Sequence, residues 1–134
     1  MLVPDEYSTI QSAIDFSSNS DTVLISPSIY YEPIDYKNKD IIIAGQYLES
    51  NLSDYIHQTI IYNDGSEPTV TFGNTGLNNN AQLIGISIYS ENIGVEFNNT
   101  NATIERCILF SLLNDKGINC NNSSPYIKNC TIVG

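Results

Sequence analysis

His57 is the only histidine in this sequence. A Ser-His-Asp arrangement needs an imidazole between a nucleophile and an orienting carboxylate, and no second marker of that kind accompanies it. It falls in the insertion Tyr47 to Gln58, which reads as a long surface loop. Arg106 is the only arginine, and a lyase base of this type needs carboxylates nearby that hold calcium and neutralise a uronate. Its repeat partners are Gly85 and Asn129, so it reads as a solvated corner residue. Glu105 is expected to stack beside Lys128 as an exposed ion pair, worth about 0–1 kcal/mol. Asp64-Gly65-Ser66-Glu67 reads as a turn between strands, without the further acidic ligands at alternating positions that a calcium loop requires.

The cysteines Cys107, Cys120 and Cys130 are odd in number and include no Cys-x-x-Cys pair, which argues against zinc. Cys107 and Cys130 are expected in one inward column, either as core thiols or bridged between neighbouring windings. Cys120 is expected to face inward in the column of Phe97. On these residues no catalytic group is assigned, and neither a cofactor site nor a metal site is expected.

Nine tyrosines and no tryptophan leave stacking chemistry to the phenols. Tyr30, Tyr31, Tyr36, Tyr47, Tyr55, Tyr62 and Tyr89 are expected at strand ends or loops, where rings on a β flank stack on sugars or simply fill half-buried strand surfaces. Asn-x-Ser/Thr triplets at Asn51, Asn98 and Asn121 are expected by chance in a chain this rich in those residues. The net charge of −10 disfavours nucleic acid, because only Lys37, Lys39, Arg106, Lys116 and Lys128 are cationic, and they are scattered. An acidic surface of this kind serves solubility. No apolar run reaches the roughly 18 residues of a membrane span, and the first residues do not read as a signal peptide.

The elements that would position these groups follow from periodicity. Ser8-Thr9-Ile10-Gln11 predicts a helix over about 8–18, with Ser8 as N-cap, Gln11 reaching back, and Ile10, Ala13 and Ile14 on one apolar face. Strands are predicted at 22–25, 41–43, 59–62, 69–72, 83–88, 95–97, 104–109, 118–120 and 127–132. A repeat organises the later ones, clearest over about 70–134. Gly94-Val95-Glu96-Phe97-Asn98-Asn99-Thr100 lies over Gly117-Ile118-Asn119-Cys120-Asn121-Asn122-Ser123, and Ile104, Cys107 and Leu109 lie over Ile127, Cys130 and Ile132. One unit earlier, Leu83, Ile86 and Ile88 precede Ile104, Cys107 and Leu109, while Val70 and Phe72 precede Val95 and Phe97.

Each unit reads apolar-x-apolar, a polar turn, then apolar-x-x-apolar-x-apolar. Period two turns alternate side chains inward, and the x-x gap and the polar turn demand two corners per unit. A unit this short buries its apolar face only by stacking on its neighbours. The expectation is an all-β fold: one domain over 1–134, a right-handed parallel β-helix solenoid with a short N-terminal capping α-helix. A leucine-rich repeat fits Leu83-x-x-Ile86-x-Ile88 but not the period-two Val95-Glu96-Phe97 and Ile118-Asn119-Cys120 that follow.

Tyr7-Ser8-Thr9-Ile10-Gln11-Ser12-Ala13-Ile14-Asp15, then Asp21-Thr22-Val23-Leu24-Ile25-Ser26-Pro27-Ser28-Ile29-Tyr30-Tyr31-Glu32, resembles the opening of pectin-lyase-like β-helix proteins. Ser123-Ser124-Pro125-Tyr126-Ile127-Lys128-Asn129-Cys130-Thr131-Ile132 resembles their repeating coil. The resemblance implies the fold more than an activity, because the group holds lyases, esterases, hydrolases, epimerases and non-enzymatic surface proteins. It implies calcium by analogy alone. The order of elements is also similar to pectin methylesterases. Their first glutamine would fall at Ile93 or Gly94, and their Gln-Asp pair at Leu112-Leu113 or Asn114-Asp115, so Asp115 is the one carry-over.

The leading expectation is a non-enzymatic segment of a secreted or cell-surface protein, with a structural role or a glycan- or protein-binding flank. The alternative is a fragment of a polysaccharide-active enzyme, pectate lyase-like or pectinesterase-like, whose active-site coils are absent. The sequence reads as the N-terminal part of a longer solenoid, or as a chain that covers its last coil by self-association.

Overall fold

A computed structural model describes every residue except Leu77, Asn79, Asn114 and Asp115. Period-two patterning sets the strands. In Thr22–Ile25 (β2), Val23 and Ile25 are fully buried while Thr22 and Leu24 stay half-exposed. Leu2–Val3 (β1) and the helix Ile10–Phe16 (α1) precede it, and Ser28–Tyr30 (β3) and Ile34–Asp35 (β4) complete the first winding. The second winding contains Ile42–Gly45 (β5), Tyr47–Ser50 (α2), Asp54–Gln58 (α3), Thr59–Asn63 (β6) and Val70–Gly76 (β7). The third is Gln82–Ile84 (β8), Ser87–Ser90 (β9) and Val95–Thr100 (β10). Then come Thr103–Glu105 (β11), Ile108–Ser111 (β12) and Ile118–Asn121 (β13), and finally Tyr126–Lys128 (β14) and Thr131–Val133 (β15).

Three parallel sheets result, visited in turn by successive strands. The first runs β1-β2-β5-β8-β11-β14, the second β3-β6-β9-β12-β15, and the third β4-β7-β10-β13. The architecture is that of an all-β parallel solenoid with few helices. The apolar columns expected from the repeat stack as predicted. Val70, Val95 and Ile118 are in register, as are Phe72, Phe97 and Cys120. Leu83, Ile104 and Ile127 align, and so do Ile88, Leu109 and Ile132. Inside, the Tyr36 and Phe72 rings lie 4.1 Å apart, and Phe72 stacks on Phe97 at 5.0 Å.

Three corners, not two, close each winding. The predicted strands 83–88, 104–109 and 127–132 each break in two at Gly85, Arg106 and Asn129, whose φ values are 68°, 51° and 51°. At the end of the third sheet Asn74 in β7 and Asn99 in β10 are again left-handed, as are Asn122 just after β13 and Asn38 after β4. Asn tolerates this conformation better than other residues with a Cβ. The additional corner falls between the second and third sheets, at turns such as Glu91-Asn92-Ile93-Gly94. It was hidden because the sequence between those strands varies in length, so no fixed spacing marks it.

Helix α1 is shorter than expected and its N-cap is Thr9, not Ser8. Thr9 Oγ1 accepts from the Ser12 amide at 3.1 Å, and Ser12 Oγ accepts from the Thr9 amide at 3.3 Å. Gln11 does not reach back to the cap. Its side chain bridges to β4, accepting from the Asp35 amide at 2.8 Å and donating to the Asp35 carbonyl at 3.0 Å. Glu32 takes the Ile10 and Gln11 amides on its two carboxylate oxygens, while Lys39 Nζ donates to the Ile14, Asp15 and Ser17 carbonyls. An anion thus sits at the helix N-terminus and a cation at its C-terminus, both favourable to the helix dipole. Ile10, Ala13 and Ile14 join the core, as expected.

Candidate binding face

Inward positions of the second sheet are filled by Tyr30, Ile61, Ile88 and Leu109, which leaves the alternate positions to face outward. One outward column is Tyr62, Tyr89 and Phe110, in register on β6, β9 and β12, with Tyr31 beside Tyr62 from the preceding winding. Tyr31 is 75% exposed and the other three are half-exposed. Tyr31 and Tyr62 meet edge to face at 5.7 Å, and Tyr89 and Phe110 at 4.7 Å. Strands of neighbouring windings are about 4.8 Å apart, so the column presents one aromatic ring per step along the stack.

The other outward column of this sheet, Ile29, Ile60, Ser87 and Ile108, is covered at Ser87. The Tyr47 to Gln58 insertion forms the helices α2 and α3 rather than a loop. Helix α3 lies against β6 and β9, with Ile56 buried and its carbonyl accepting from Ser87 Oγ at 2.7 Å. A single apolar residue, Ile56, thus docks a short helix that isolated propensity would not sustain. His57 is on α3 and exposed.

Carboxylates flank the aromatic column. Tyr62 donates its phenol proton to Glu91 Oε1 at 2.7 Å, and Asp64 is exposed in the next turn. The hydrogen bond to Glu91 holds the Tyr62 phenol above its ordinary value of 10.0, with burial and the Glu91 and Asp64 charges adding to it. Beyond Phe110 the chain continues into exposed Leu112 and Leu113.

The tyrosines named from the sequence therefore separate into two groups. Tyr31, Tyr62 and Tyr89 join the outward column, whereas Tyr30 and Tyr36 are buried, with hydroxyls donating to the Ser26 and Gln82 carbonyls. Tyr47 lies under the Arg106 guanidinium, 5.5 Å from ring centroid to Cζ. Tyr55 is half-exposed on α3. Phe110 is not among the tyrosines, but the offset that aligns Leu109 with Ile88 also places it beside Tyr89.

Other expected sites are dispersed. Arg106 is an exposed corner residue, as expected. Glu105 and Lys128 are in register, and the Lys128 ammonium lies 5.9 Å from the Tyr126 ring centroid. Cys120 aligns with Phe97 yet is exposed, because β13 has a neighbouring strand on one side only. Asn98 and Asn121 are joined, Asn121 Nδ2 donating to Asn98 Oδ1 at 2.7 Å, while Asn51 is exposed at the end of α2. Asp115, the esterase-like carry-over, lies outside the described residues. The Asp64 to Glu67 turn is organised by Asn63. Its Oδ1 accepts from the Gly65 amide at 3.0 Å and its Nδ2 donates to the Glu67 carbonyl at 2.7 Å. Among the described residues no three His, Cys, Asp or Glu side chains cluster as metal ligands.

A cleft of about 320 Å³ opens beside β4, lined by Gln11, Asp35, Lys37, Glu67 and Thr71 among others, but Gln11 there is engaged in fastening α1. No helix among the described residues is long and apolar enough to cross a membrane. Comparison with family models, curated proteins and solved structures finds no match to this chain.

Proposed function

We propose that this chain is a non-enzymatic part of a right-handed parallel β-helix of the pectin-lyase-like kind, whose second sheet binds a glycan. The observation that carries the reading is the outward column Tyr31, Tyr62, Tyr89 and Phe110 on four successive windings. A sugar ring has an apolar face that packs on an aromatic ring, and its hydroxyls donate to carboxylates such as Glu91 and Asp64. With a net charge of −10, the protein repels polyanionic uronates, so the ligand is a neutral glycan chain.

Right-handed winding is supported by the sterics of parallel strands joined by crossover connections, which take that hand almost always. A capping role for α1 is supported by its contacts with β1, β2 and β4 and by the Glu32, Gln11 and Lys39 fastenings. Within the opening motif, Gln11 and Glu32 both fasten α1, which supports reading the motif as a mark of fold rather than of reaction. An extracellular or cell-surface location follows from the resemblance alone.

Calorimetric titration with soluble neutral glucans and galactans tests the reading. Saturable binding that falls at least tenfold in Tyr62→Ala and Tyr89→Ala is the expected result. No binding to any neutral glycan, with tight binding of a protein partner instead, would overturn it. Unsaturated product, seen as new ultraviolet absorbance with polygalacturonate and calcium, would establish the polysaccharide-active enzyme alternative.

A further inference from the structure

Cys107 and Cys130 occupy one corner of two successive windings, following Arg106 and Asn129, both at φ 51°. The register on either side holds them together, because Glu105 pairs with Lys128 and Ile108 with Thr131. The Thr131 amide donates to the Cys107 carbonyl at 3.0 Å. Parallel neighbours about 4.8 Å apart fall within the Cα separations that a disulfide spans.

The two thiols lie on adjacent windings and differ in exposure. Cys107 is 1% exposed, whereas Cys130 is half-buried and reachable from solvent. The neighbouring Cys107 thiol is the main cause pulling Cys130 down to about 7. Burial above all pushes Cys107 well above its ordinary value of 9.0. A reachable, readily ionised thiol therefore lies one winding from a buried one, the pairing of attacking and resolving groups used in thiol exchange. Cys120 stands apart on β13 in the third sheet.

We propose that Cys107 and Cys130 form a reversible disulfide by exchange with a small-molecule disulfide, fastening the fifth winding to the fourth. The Cys130 thiolate attacks one sulfur of the small disulfide. A mixed disulfide forms as the sulfur–sulfur bond of the reagent breaks and one small thiolate leaves. Cys107 then gives its proton to solvent and attacks the Cys130 sulfur, expelling the second small thiolate. Two protein thiols are oxidised to one disulfide, and one small disulfide is reduced to two thiols. Proximity favours the second step over release of the mixed disulfide.

The test uses the chain carrying Cys120→Ser, incubated with defined mixtures of oxidised and reduced glutathione, quenched in acid and analysed by peptide mass spectrometry. Both remaining thiols are expected to disappear together, with a Cys107–Cys130 linked peptide that excess reduced glutathione reverses. The initial rate should reach half its maximum near pH 7, from the Cys130 ionisation. In Cys107→Ala the reaction should stop at glutathionylated Cys130, with the pH profile moved upward. A mixed disulfide that persists at Cys130 while Cys107 is present would overturn the proposal. So would disulfide-linked chains, or two unreacted thiols.

Discussion

Asn122 donates from Nδ2 to Oδ1 of Asn99 at 2.9 Å, and both residues hold left-handed backbone, at φ 48° and 50°. Asn99 passes the pattern on to Asn74 at 3.2 Å, and Asn74 to Asn38 at 3.3 Å. One side chain thus serves as donor to one winding and acceptor from the next, while its backbone turns the corner. Asn99→Ala loses both bonds and strains the corner, and should cost about 2 kcal/mol in urea unfolding. Asn99→Gly keeps the corner relaxed and should cost less. Equal losses in the two variants would show that the backbone conformation contributes nothing.

Lys39 holds three carbonyls at the C-terminal end of α1. Lys39→Met keeps most of the side chain's bulk but removes the charge and its donors. A loss of about 1–2 kcal/mol is expected, with faster amide exchange confined at first to α1. Unchanged exchange in α1 would refute the clamp.

Gly94 permits two turns to approach closely, since a Cβ there would lie 2.6 Å from the Gly117 carbonyl oxygen. Gly94→Ala must push the backbones apart and should destabilise by about 1–3 kcal/mol. Gly76, whose added Cβ would meet nothing within 4 Å, provides the comparison for backbone strain alone, at φ 71°. A smaller loss at Gly94 than at Gly76 would contradict the steric account.

The Tyr62 phenol, raised first by its hydrogen bond to Glu91, favours the folded state while protonated. That contribution is present below the ordinary value of 10.0 and disappears as pH rises through the higher folded-state value. Phenolate absorbance, with Tyr62→Phe subtracted, should show Tyr62 titrating late in the native chain. In Glu91→Ala it should titrate nearer 10.0. An identical titration in both would dismiss the bond.

Strands β13, β14 and β15 each pair on one side only, and Ile127, Ile132 and Val133 are exposed there. Unpaired edges of this kind invite further pairing. Light scattering of the 134-residue chain should therefore show association rising with concentration, reduced in Ile127→Lys. A monodisperse monomer at high concentration would count against it.

Much of this architecture was legible because it is periodic. The repeats Gly94 to Thr100 and Gly117 to Ser123 require equal circuits, and equal circuits place Val95 beside Ile118 and Phe97 beside Cys120. Stacking parallel windings converts a spacing in sequence into a contact, so a one-dimensional pattern sufficed. Where segments are unequal, that conversion failed. The third corner, the short β3 and β4, and the two helices between Tyr47 and Gln58 all lie in stretches of variable length or low apolar content.

Only the folded chain separated the tyrosines. Tyr36 and Tyr62 are one residue type in similar local sequence, yet one is sealed against Phe72 and the other reaches Glu91. Inward and outward positions alternate every residue, so a shift of one position exchanges core for surface. That register was set jointly by neighbouring windings and by α3 packing on β6 and β9. Sequence alone thus determined that equivalent residues would stack, because repetition enforces it. Which stack faces solvent depended on packing between segments far apart in the chain.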